Sequence, residues 1–390
     1  MTVTFVQDPE GAKELQDELS GVDSVAVDCE AAGFHRYSDR LCLVQLSTES
    51  RTFVLDPLAT NISTVLKPTL EDPGVIVLMH GAAYDLRLLQ RDLGIFVTRL
   101  SDTQVAASLL GEPSVSLQAL LQRHLDVKVS KKYQRADWAQ RPLTDEMLDY
   151  AAGDTRHLHR LANILAGLLD EAGRQEWAME EYVRLVESAR APESKKEPVD
   201  PVTRVKGARS LDPIACTALR AGLAWRDTIA RKKDRAPFRV ISDQALMEAA
   251  QTRPRTVSDF GAMKGVSERL IASHGQDLIG RYEAIEGMEP EELEPYPSAP
   301  PRSSRPSPEV EALFESLKAE RNQIAQELGI ERGRLMSNSL LLEIAMAGPT
   351  DLEELLAVAD VRKWQVDLFG DQLLNALRTK AGGSAAKATP

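Results

Sequence analysis

The chain has 390 residues, 43% hydrophobic and 27% charged, which is enough for two or three soluble domains with sizeable cores. Its formal net charge of −12 argues against a uniformly basic nucleic-acid-binding protein, because phosphate contacts require Lys and Arg. Three cysteines without Cys-x-x-Cys spacing favour a reducing cytoplasm over disulfides or structural zinc, and neither a membrane span nor a signal peptide is predicted.

The first 190 residues alternate between strand-like and helix-like runs, which predicts a mixed sheet flanked by helices. Strands are predicted at 24–30, 41–46, 52–55 and 75–79. Helices are predicted at 82–93 and 103–110, and one long helix from about 144 to 169. We therefore assign residues 1–190 to a single α/β domain.

The strand signal ends after this domain, and two helical blocks follow. Residues 191–208 are predicted as a linker, 209–288 as a helical domain, 289–308 as a Pro/Ser-rich linker, 309–380 as a second helical domain and 381–390 as a disordered tail. The two blocks share a pattern of a long helix, a basic turn and a new helix that starts near Ser242 or Ser337. They are interpreted as a diverged repeat.

Positive charge is concentrated in two segments despite the acidic total. Residues 190–243 carry 13 Lys and Arg against 7 Asp and Glu, and residues 123–141 carry 6 against 2. The first segment contains the basic turn of Arg231, Lys232 and Lys233; the second contains Lys132 and Arg135. Such faces suit a single-stranded phosphate backbone, although a solvated loop is the alternative for each.

Four carboxylates and one tyrosine stand out as candidates for chemistry. Asp28 and Glu30 are two apart on a strand and so point to one face, Asp85 begins a helix, and Tyr150 and Asp154 are four apart on a helix. Each alone has an ordinary explanation: a solvated strand end, a helix-dipole contact or a surface pair. Together they form a set of hard oxygen ligands suited to two Mg²⁺ or Mn²⁺ ions.

At this point the sequence resembles a family. Asp28-Cys-Glu30, the segment from His80 to Asp85, and Tyr150-Ala-Ala-Gly-Asp154 are similar to the three motifs of DEDDy-type 3′-5′ exonucleases. The segments 101–104 and 136–143 resemble ribonuclease D and its exosome-associated relatives, and the helical blocks resemble HRDC domains. The resemblance is close over residues 3–285 and weaker over 309–380.

The resemblance implies a ribonuclease-H-like exonuclease domain followed by two all-α HRDC-like domains. It implies that Asp28, Glu30, Asp85 and Asp154 hold two divalent ions and that Tyr150 positions the attacking water. It further implies stepwise hydrolysis of RNA from a free 3′ end, with release of nucleoside 5′-monophosphates and a role in maturing tRNA precursors and other stable RNAs. No ATP-binding loop is found, and a cytoplasmic monomer is expected.

Several further residues are candidates for substrate contact. Phe34, His80 and Tyr84 are placed near the terminal nucleotide, with core packing as the alternative for the two aromatic residues. Trp138 lies in a motif of the family, and packing is favoured over stacking for it. Asp102 is interpreted as the N-cap of the helix that follows it. Two departures from the family are Cys29, where Thr is usual, and Ala31, where an aromatic residue is common.

Two other functions fit parts of this pattern. A DNA exonuclease in repair would share the motifs, since discrimination depends on a contact to the ribose 2′-hydroxyl that the sequence does not reveal. A nucleic-acid-binding scaffold with an inactive nuclease domain is disfavoured, because all four carboxylates are intact. An RNA exonuclease is therefore the main prediction.

Overall fold

The computed structural model describes residues 3–192, 199–297 and 306–385. Its N-terminal part is a six-stranded mixed sheet with the strand order β1-β4-β3-β2-β5-β6. Strands β2 and β3 and strands β3 and β4 are antiparallel; the other neighbours are parallel. The strands are β1 (Val3–Val6), β2 (Ser24–Ala31), β3 (Leu41–Ser47), β4 (Thr52–Leu55), β5 (Ile76–Met79) and β6 (Leu100–Asp102).

The four predicted strands are confirmed, and β1 and β6 add one short strand at each edge. Strand β3 is buried along its whole length, as is β4, because helices cover both faces of the sheet. These helices are α1 (Pro9–Glu18), α2 (Ser63–Leu70), α3 (Ala83–Leu88), α4 (Thr103–Leu110), α5 (Leu117–Leu125), α6 (Asp145–Gly153), α7 (Leu158–Glu171) and α8 (Gln175–Arg190).

The prediction of one helix from 144 to 169 is wrong, because the chain breaks between α6 and α7. Gly153 and Asp154 are poor helix formers, and they are followed by the fully buried Thr155. The Thr155 hydroxyl is hydrogen-bonded to the hydroxyl of Ser47 at the end of β3, 2.8 Å away. This contact anchors the break to the sheet and leaves Asp154 at the end of α6.

The first helical module, residues 199–297, has its own core. Its helices are α9 (Pro213–Lys232), α10 (Pro237–Val240), α11 (Asp243–Thr252), α12 (Val257–Gly261) and α13 (Glu268–Glu286). Part of the predicted linker belongs to this module: Val202 and Ala208 are fully buried, and Asp200 forms a 2.6 Å ion pair with Arg220. Residues 193–198 of that linker lie outside the described residues.

The second helical module, residues 306–385, begins inside the predicted Pro/Ser-rich linker. Its helices are α14 (Pro308–Leu328), α15 (Arg332–Leu335), α16 (Asn338–Ala347), α17 (Leu352–Ala357) and α18 (Lys363–Ala385). Helix α18 continues into the predicted tail, because helix propagation past its buried leucines adds a hydrogen bond per residue. Residues 298–305 of the linker and 386–390 of the tail lie outside the described residues. None of the described helices is long and apolar enough to cross a bilayer.

Ser242 and Ser337 cap helices α11 and α16, as the repeat predicted. Each serine hydroxyl accepts a hydrogen bond from the backbone N–H three residues later, at 3.2 Å in both modules. The same position in the two modules therefore starts a helix in the same way.

The second module shares a continuous apolar core with the α/β domain. The rings of Trp177 on α8 and Trp364 on α18 are stacked, with centroids 4.8 Å apart and planes 19° apart. Arg362 forms an ion pair with Glu181 at 3.0 Å beside this stack. These contacts fix the module against α8.

A close approach of two backbones completes this junction. Gly111 ends α4 and Gly329 ends α14, both with positive φ, +77° and +66°. A Cβ at Gly111 would overlap the carbonyl oxygen of Gly329. The two helix ends can therefore meet only because residue 111 has no side chain.

This contact yields a test of how firmly the second module is joined. We expect Gly111→Ala to lower the free energy of unfolding by about 1–3 kcal/mol more than Gly94→Ala, because the added methyl group overlaps a backbone oxygen. Gly94 is a matched control, since it also has positive φ (+65°), but an added methyl group would meet no atom within 4 Å. Urea unfolding of both variants measures the difference. Equal losses of unfolding free energy would show that the junction accommodates the added methyl group without cost.

Candidate active site

Asp28 and Glu30 occupy the end of the central strand β2. They are two residues apart, and both are half-buried, whereas Cys29 between them is buried. The β2–β3 register shifts between Glu30 and Ala31, so the ladder is irregular where Glu30 leaves the sheet. The two carboxylates therefore share one face, as predicted, and Cys29 points to the other.

Asp85 lies in the first turn of α3, and Asp102 holds the turn between β5 and α3 that leads to it. The Asp102 carboxylate accepts hydrogen bonds from the backbone N–H groups of Gly81, at 3.0 Å, and Ala82, at 2.8 Å. It also caps α4 by accepting from Gln104 N at 2.8 Å. The predicted N-cap role of Asp102 is confirmed, and the same side chain also fixes the backbone that leads to Asp85.

Asp154 at the end of α6 completes the group. Carboxylate oxygens of Asp28, Glu30 and Asp154 lie within 4.8 Å of one another, and Asp85 is buried nearby. The structure thus brings three of the four predicted ligands within coordinating distance of one point, and the fourth lies close enough to raise the pKa of Asp28.

The electrostatics of this cluster favour a bound cation. Burial, and then the neighbouring carboxylates, raises the pKa of Asp28 and of Glu30 well above the usual range. Burial, Asp102 and Asp154 raise the pKa of Asp85 to about 7, and burial raises the pKa of Asp154 to about 6. A set of carboxylate oxygens that repel one another fits a hard divalent ion, which would neutralise them.

Tyr150 faces the cluster from one turn earlier in α6. Burial, and then the charges of Asp154, Glu30 and Asp28, raises the pKa of its hydroxyl, which therefore stays protonated at neutral pH. Its ring is stacked on Trp138, with centroids 6.0 Å apart, and contacts the Tyr133 ring edge-on at 5.8 Å. The aromatic packing holds a hydrogen-bonding group beside the carboxylates.

Two open cavities flank the carboxylates. One, of about 600 Å³, is bordered by Asp154, Tyr150 and the loop that carries Lys132. The other, also of about 600 Å³, is lined by Cys29, Glu30, Ala31, Gly33, Phe34, Asp39 and Tyr84. An extended ligand that crosses the carboxylates would occupy both cavities.

The loop of residues 32–40, which follows Glu30, is docked against the first helical module. Asp234 in the basic turn forms an ion pair with Arg40 at 3.0 Å. The backbone N–H of Ala236 donates to His35 O at 3.0 Å. Arg239 Nε donates to Phe34 O at 2.9 Å. The module thus holds one wall of the second cavity.

Phe34 lies at the rim of this wall and is 41% exposed. Its ring contacts that of Phe238, which is 50% exposed, with centroids 5.5 Å apart. The guanidinium groups of Arg239 and Arg135 lie 4.8 and 5.6 Å from the Phe34 centroid. An exposed aromatic surface framed by arginines suits stacking with a nucleobase.

Of the other predicted substrate residues, two line the cavities and two are held in contacts within the domain. Tyr84 lines the second cavity, and Lys132 lines the first. Trp138 is only 2% exposed, so its ring packs and cannot stack on a base. His80 Nδ1 is engaged with Thr103 Oγ1 at 2.9 Å, at the turn before Asp85.

The basic turn is only partly available for phosphate. Arg231 donates to the hydroxyl of Tyr37 at 2.8 Å and pairs with Asp227, so it takes part in docking the module. Lys232 and Lys233 are exposed beside it.

Sequence reasoning missed Asp39, Phe238 and Arg239. Asp39 lies in a loop, and Phe238 and Arg239 lie in the four-residue helix α10, which is too short to show a periodic pattern. All three acquire these neighbours through contacts distant in sequence. The only local signal was Gly33, which lies six residues before Asp39 and permits a close approach of its carboxylate.

Comparison with known proteins identifies a nuclease region followed by two helical domains. Residues 3–170 match the 3′-5′ exonuclease family model, and residues 219–281 and 310–377 each match the HRDC domain. Ribonuclease D of Pseudomonas paraeruginosa is 30% identical over 361 residues, which cover 91% of this chain and 92% of that protein.

More distant relatives are similar over different lengths. The exosome complex exonuclease RRP6 of Saccharomyces cerevisiae is 30% identical over 308 residues. These make up 74% of this chain and 41% of that protein. The crystal structure of Escherichia coli RNase D, an exoribonuclease involved in structured RNA processing, superimposes with a TM-score of 0.66 at 22% identity. That match covers 97% of this chain and 99% of the other, and it shows the same fold.

The repulsion among the carboxylates makes a stability measurement informative. We expect Asp85→Asn to raise the free energy of unfolding of the metal-free protein at pH 8 by roughly 1–4 kcal/mol. The pKa of Asp85 in the folded state, about 7, lies above its ordinary value of 3.8, so folding opposes loss of this proton. Stability from this group is therefore present below about pH 4 and is lost as pH rises through 7.

Chemical denaturation at pH 4 and pH 8, with a chelator present, measures this effect. The stabilisation by Asp85→Asn should largely disappear at pH 4, because the folded wild-type chain holds the proton there and the unfolded chain, with its ordinary pKa of 3.8, is only about half ionised. A gain of the same size at both pH values would contradict charge repulsion as its cause. Saturating Mg²⁺ should stabilise the wild type more than the variant at pH 8.

Proposed function

Because the chain belongs to the ribonuclease D family of 3′-5′ exonucleases, we propose that it trims RNA from a free 3′ end with the help of two divalent metal ions. The observation that supports this most directly is the convergence of Asp28, Glu30 and Asp154 within 4.8 Å, beside the buried Asp85. The product of each cycle would be a nucleoside 5′-monophosphate.

Asp28, Glu30, Asp85 and Asp154 would hold the two ions, which we propose are Mg²⁺ or Mn²⁺. When bound, such ions lower the pKa of water and neutralise the charge that develops on the departing 3′ oxygen. The protein's own contribution is to present the carboxylates from three separately anchored elements: β2, the first turn of α3, and the end of α6. The ligands thus need little rearrangement when the ions bind.

Tyr150 would orient the attacking water through its hydroxyl. The raised pKa keeps that group protonated, so it can donate to or accept from water without adding negative charge. The stacked ring of Trp138 and the edge of Tyr133 restrict its movement. A fixed hydroxyl beside the carboxylates supports a positioning role in hydrolysis.

The RNA strand would cross the two cavities. Phe34 would stack on a base, with His80 near the terminal nucleotide, while Lys132, Arg135, Lys232 and Lys233 would contact phosphates. These contacts do not read sequence, because the phosphate backbone is the same at every nucleotide. Broad use on several RNAs, tRNA precursors and other stable RNAs among them, is consistent with such a surface.

The cellular role proposed here is 3′ maturation of stable RNAs in the cytoplasm by a monomer. It is supported by the similarity to ribonuclease D across nearly the whole chain, helical modules included. A phosphate-binding HRDC-like module next to the active site would keep a structured RNA attached while its end is trimmed.

The proposal is tested with 5′-labelled single strands of one sequence, as RNA and as DNA. We expect a ladder that shortens from the 3′ end of RNA in the presence of Mg²⁺ or Mn²⁺ and stops with a chelator. Asp28→Ala should reduce the rate by at least about 10³-fold, since catalysis by metal ions depends on this ligand. Faster trimming of DNA would indicate the repair exonuclease, and binding with no trimming would indicate the scaffold.

Replacing Tyr150 separates orientation from binding. We expect Tyr150→Phe to lower the single-turnover rate by about 10²-fold, an effect typical of lost positioning or proton transfer, while RNA affinity stays within about twofold. Tyr133→Phe is a matched control, because it keeps the neighbouring ring and removes a different hydroxyl. Loss of RNA affinity in Tyr150→Phe, or an equal loss of rate in the control, would contradict the assignment.

A further inference from the structure

A fifth carboxylate, separate from the four described above, lines the cavity beside Glu30. Asp39 shares this cavity with Phe34 and Tyr84. Asp39 Oδ1 accepts a hydrogen bond from Gly33 N at 3.1 Å, and Asp39 Oδ2 accepts one from the Tyr84 hydroxyl at 2.5 Å. Arg91 donates to the backbone carbonyl of Asp39. The side chain is therefore fixed at both oxygens.

The backbone at residue 33 is shaped to receive this carboxylate. A Cβ at Gly33 would lie 2.5 Å from Asp39 Oδ1, closer than any side chain could tolerate. Only glycine at this position lets Asp39 reach the backbone N–H. Three elements together place this acidic group in the cavity: the loop of residues 32–40, α3, and the π-helical segment Leu89–Leu93 that follows α3 and carries Arg91.

Among the described residues this carboxylate forms no direct ion pair, although the Arg91 guanidinium, which donates to the backbone carbonyl of the same residue, lies close enough for the two charges to interact. Within the part of the chain that the structure describes, no Lys, Arg or His nitrogen lies within 4.0 Å of the Asp39 carboxylate. A bare carboxylate is unfavourable beside a polyanion unless the substrate offers it a hydrogen-bond donor. Each carboxylate oxygen can accept a second hydrogen bond, so Asp39 can accept a further bond from a ligand.

The ribose is the part of the terminal nucleotide that meets this requirement. If the phosphate lies at the four carboxylates, the sugar is the first neutral group beyond it, and its hydroxyls are donors. Deoxyribose lacks the 2′-hydroxyl and would leave Asp39 without that bond. The cavity next to Glu30 is therefore suited to distinguish the two sugars.

We infer that Asp39, held by Gly33 and Tyr84, accepts a hydrogen bond from the 2′-hydroxyl of the 3′-terminal ribose and so makes RNA the preferred strand. This inference rests on the proposed function for the direction of the strand. Because Tyr84 is 43% exposed and the cavity is open, water can partly replace the lost bond in DNA. The preference from this contact is therefore about tenfold.

Two 5′-labelled RNA strands test the contact, one all ribose and one with a single 2′-deoxynucleotide at its 3′ end. Removal of the first nucleotide should be about tenfold faster from the ribose end in the wild type. In Asp39→Ala the ratio should fall towards one, through a slower rate on the ribose end alone. Tyr84→Phe should give an intermediate ratio, because it removes one of the bonds that fix Asp39.

Two more variants separate the contact from general damage. Gly33→Ala keeps the carboxylate but displaces it, and should lower the ratio as Asp39→Ala does. Asp72→Asn is the control, since Asp72 is also an Asp that accepts from a glycine N–H, that of Gly74 at 2.7 Å, but in an exposed turn that lines neither of the two cavities. It should keep the wild-type ratio.

Affinities of the two strands with Ca²⁺ in place of Mg²⁺ provide a readout independent of hydrolysis. If no strand is trimmed with any metal but the ribose end binds more tightly, and Asp39→Ala removes that difference, the proposed function fails while the inference stands. If RNA is trimmed and Asp39→Ala keeps the wild-type ratio, slows both strands equally, or changes a preference for the terminal base, the inference is overturned.

Discussion

Repulsion among four clustered carboxylates is the constraint on which the exonuclease domain depends. Burial raises the pKa of all four, and repulsion from neighbouring carboxylates raises those of Asp28, Glu30 and Asp85 further. Carboxylates carried on flexible loops would relieve this repulsion by moving away from one another. The structure prevents this by anchoring each carboxylate to a rigid element: the central strand β2 between β3 and β5, the start of α3, which Asp102 ties down, and a helix break tied to Ser47 through Thr155.

The two helical modules reinforce different parts of this arrangement. The first is docked on the loop that follows Glu30, through Asp234, Ala236 and Arg239. The second packs on α8 and on the end of α4, the helix that Asp102 caps. One module thus borders the cavity beside Glu30, whereas the other is part of the domain's core. Although both match the same domain family, their positions give them different tasks.

The sequence predicted the elements with strong local patterns and the site residues that terminate them. The inner strands, the paired caps at Ser242 and Ser337, and the carboxylates of β2 all follow from short-range spacing. The break at Asp154 was missed because it depends on Thr155 contacting Ser47, which is distant along the chain. Asp39 was missed for the same reason: its role arises where Gly33 and Tyr84 meet it, and no period along the chain links those three residues.

The counts of charged residues show most clearly what the sequence alone cannot predict. The excess of positive charge in residues 190–243 suggested a phosphate-binding face, yet several of its arginines are committed elsewhere. Arg220 pairs with Asp200, Arg226 with Asp243, and Arg231 and Arg239 hold the loop that contains Phe34 and Tyr37. Of the cations in the basic turn, Lys232 and Lys233 form no ion pair within the described part of the chain. A compact ammonium at the end of a flexible stem can follow a moving backbone, whereas a planar guanidinium bonded in two directions fixes a junction. Arg231 and Arg239 therefore hold the wall of the cavity beside Glu30, whereas Lys232 and Lys233 remain exposed and, under the proposed function, are the cations of this turn that can follow a phosphate backbone.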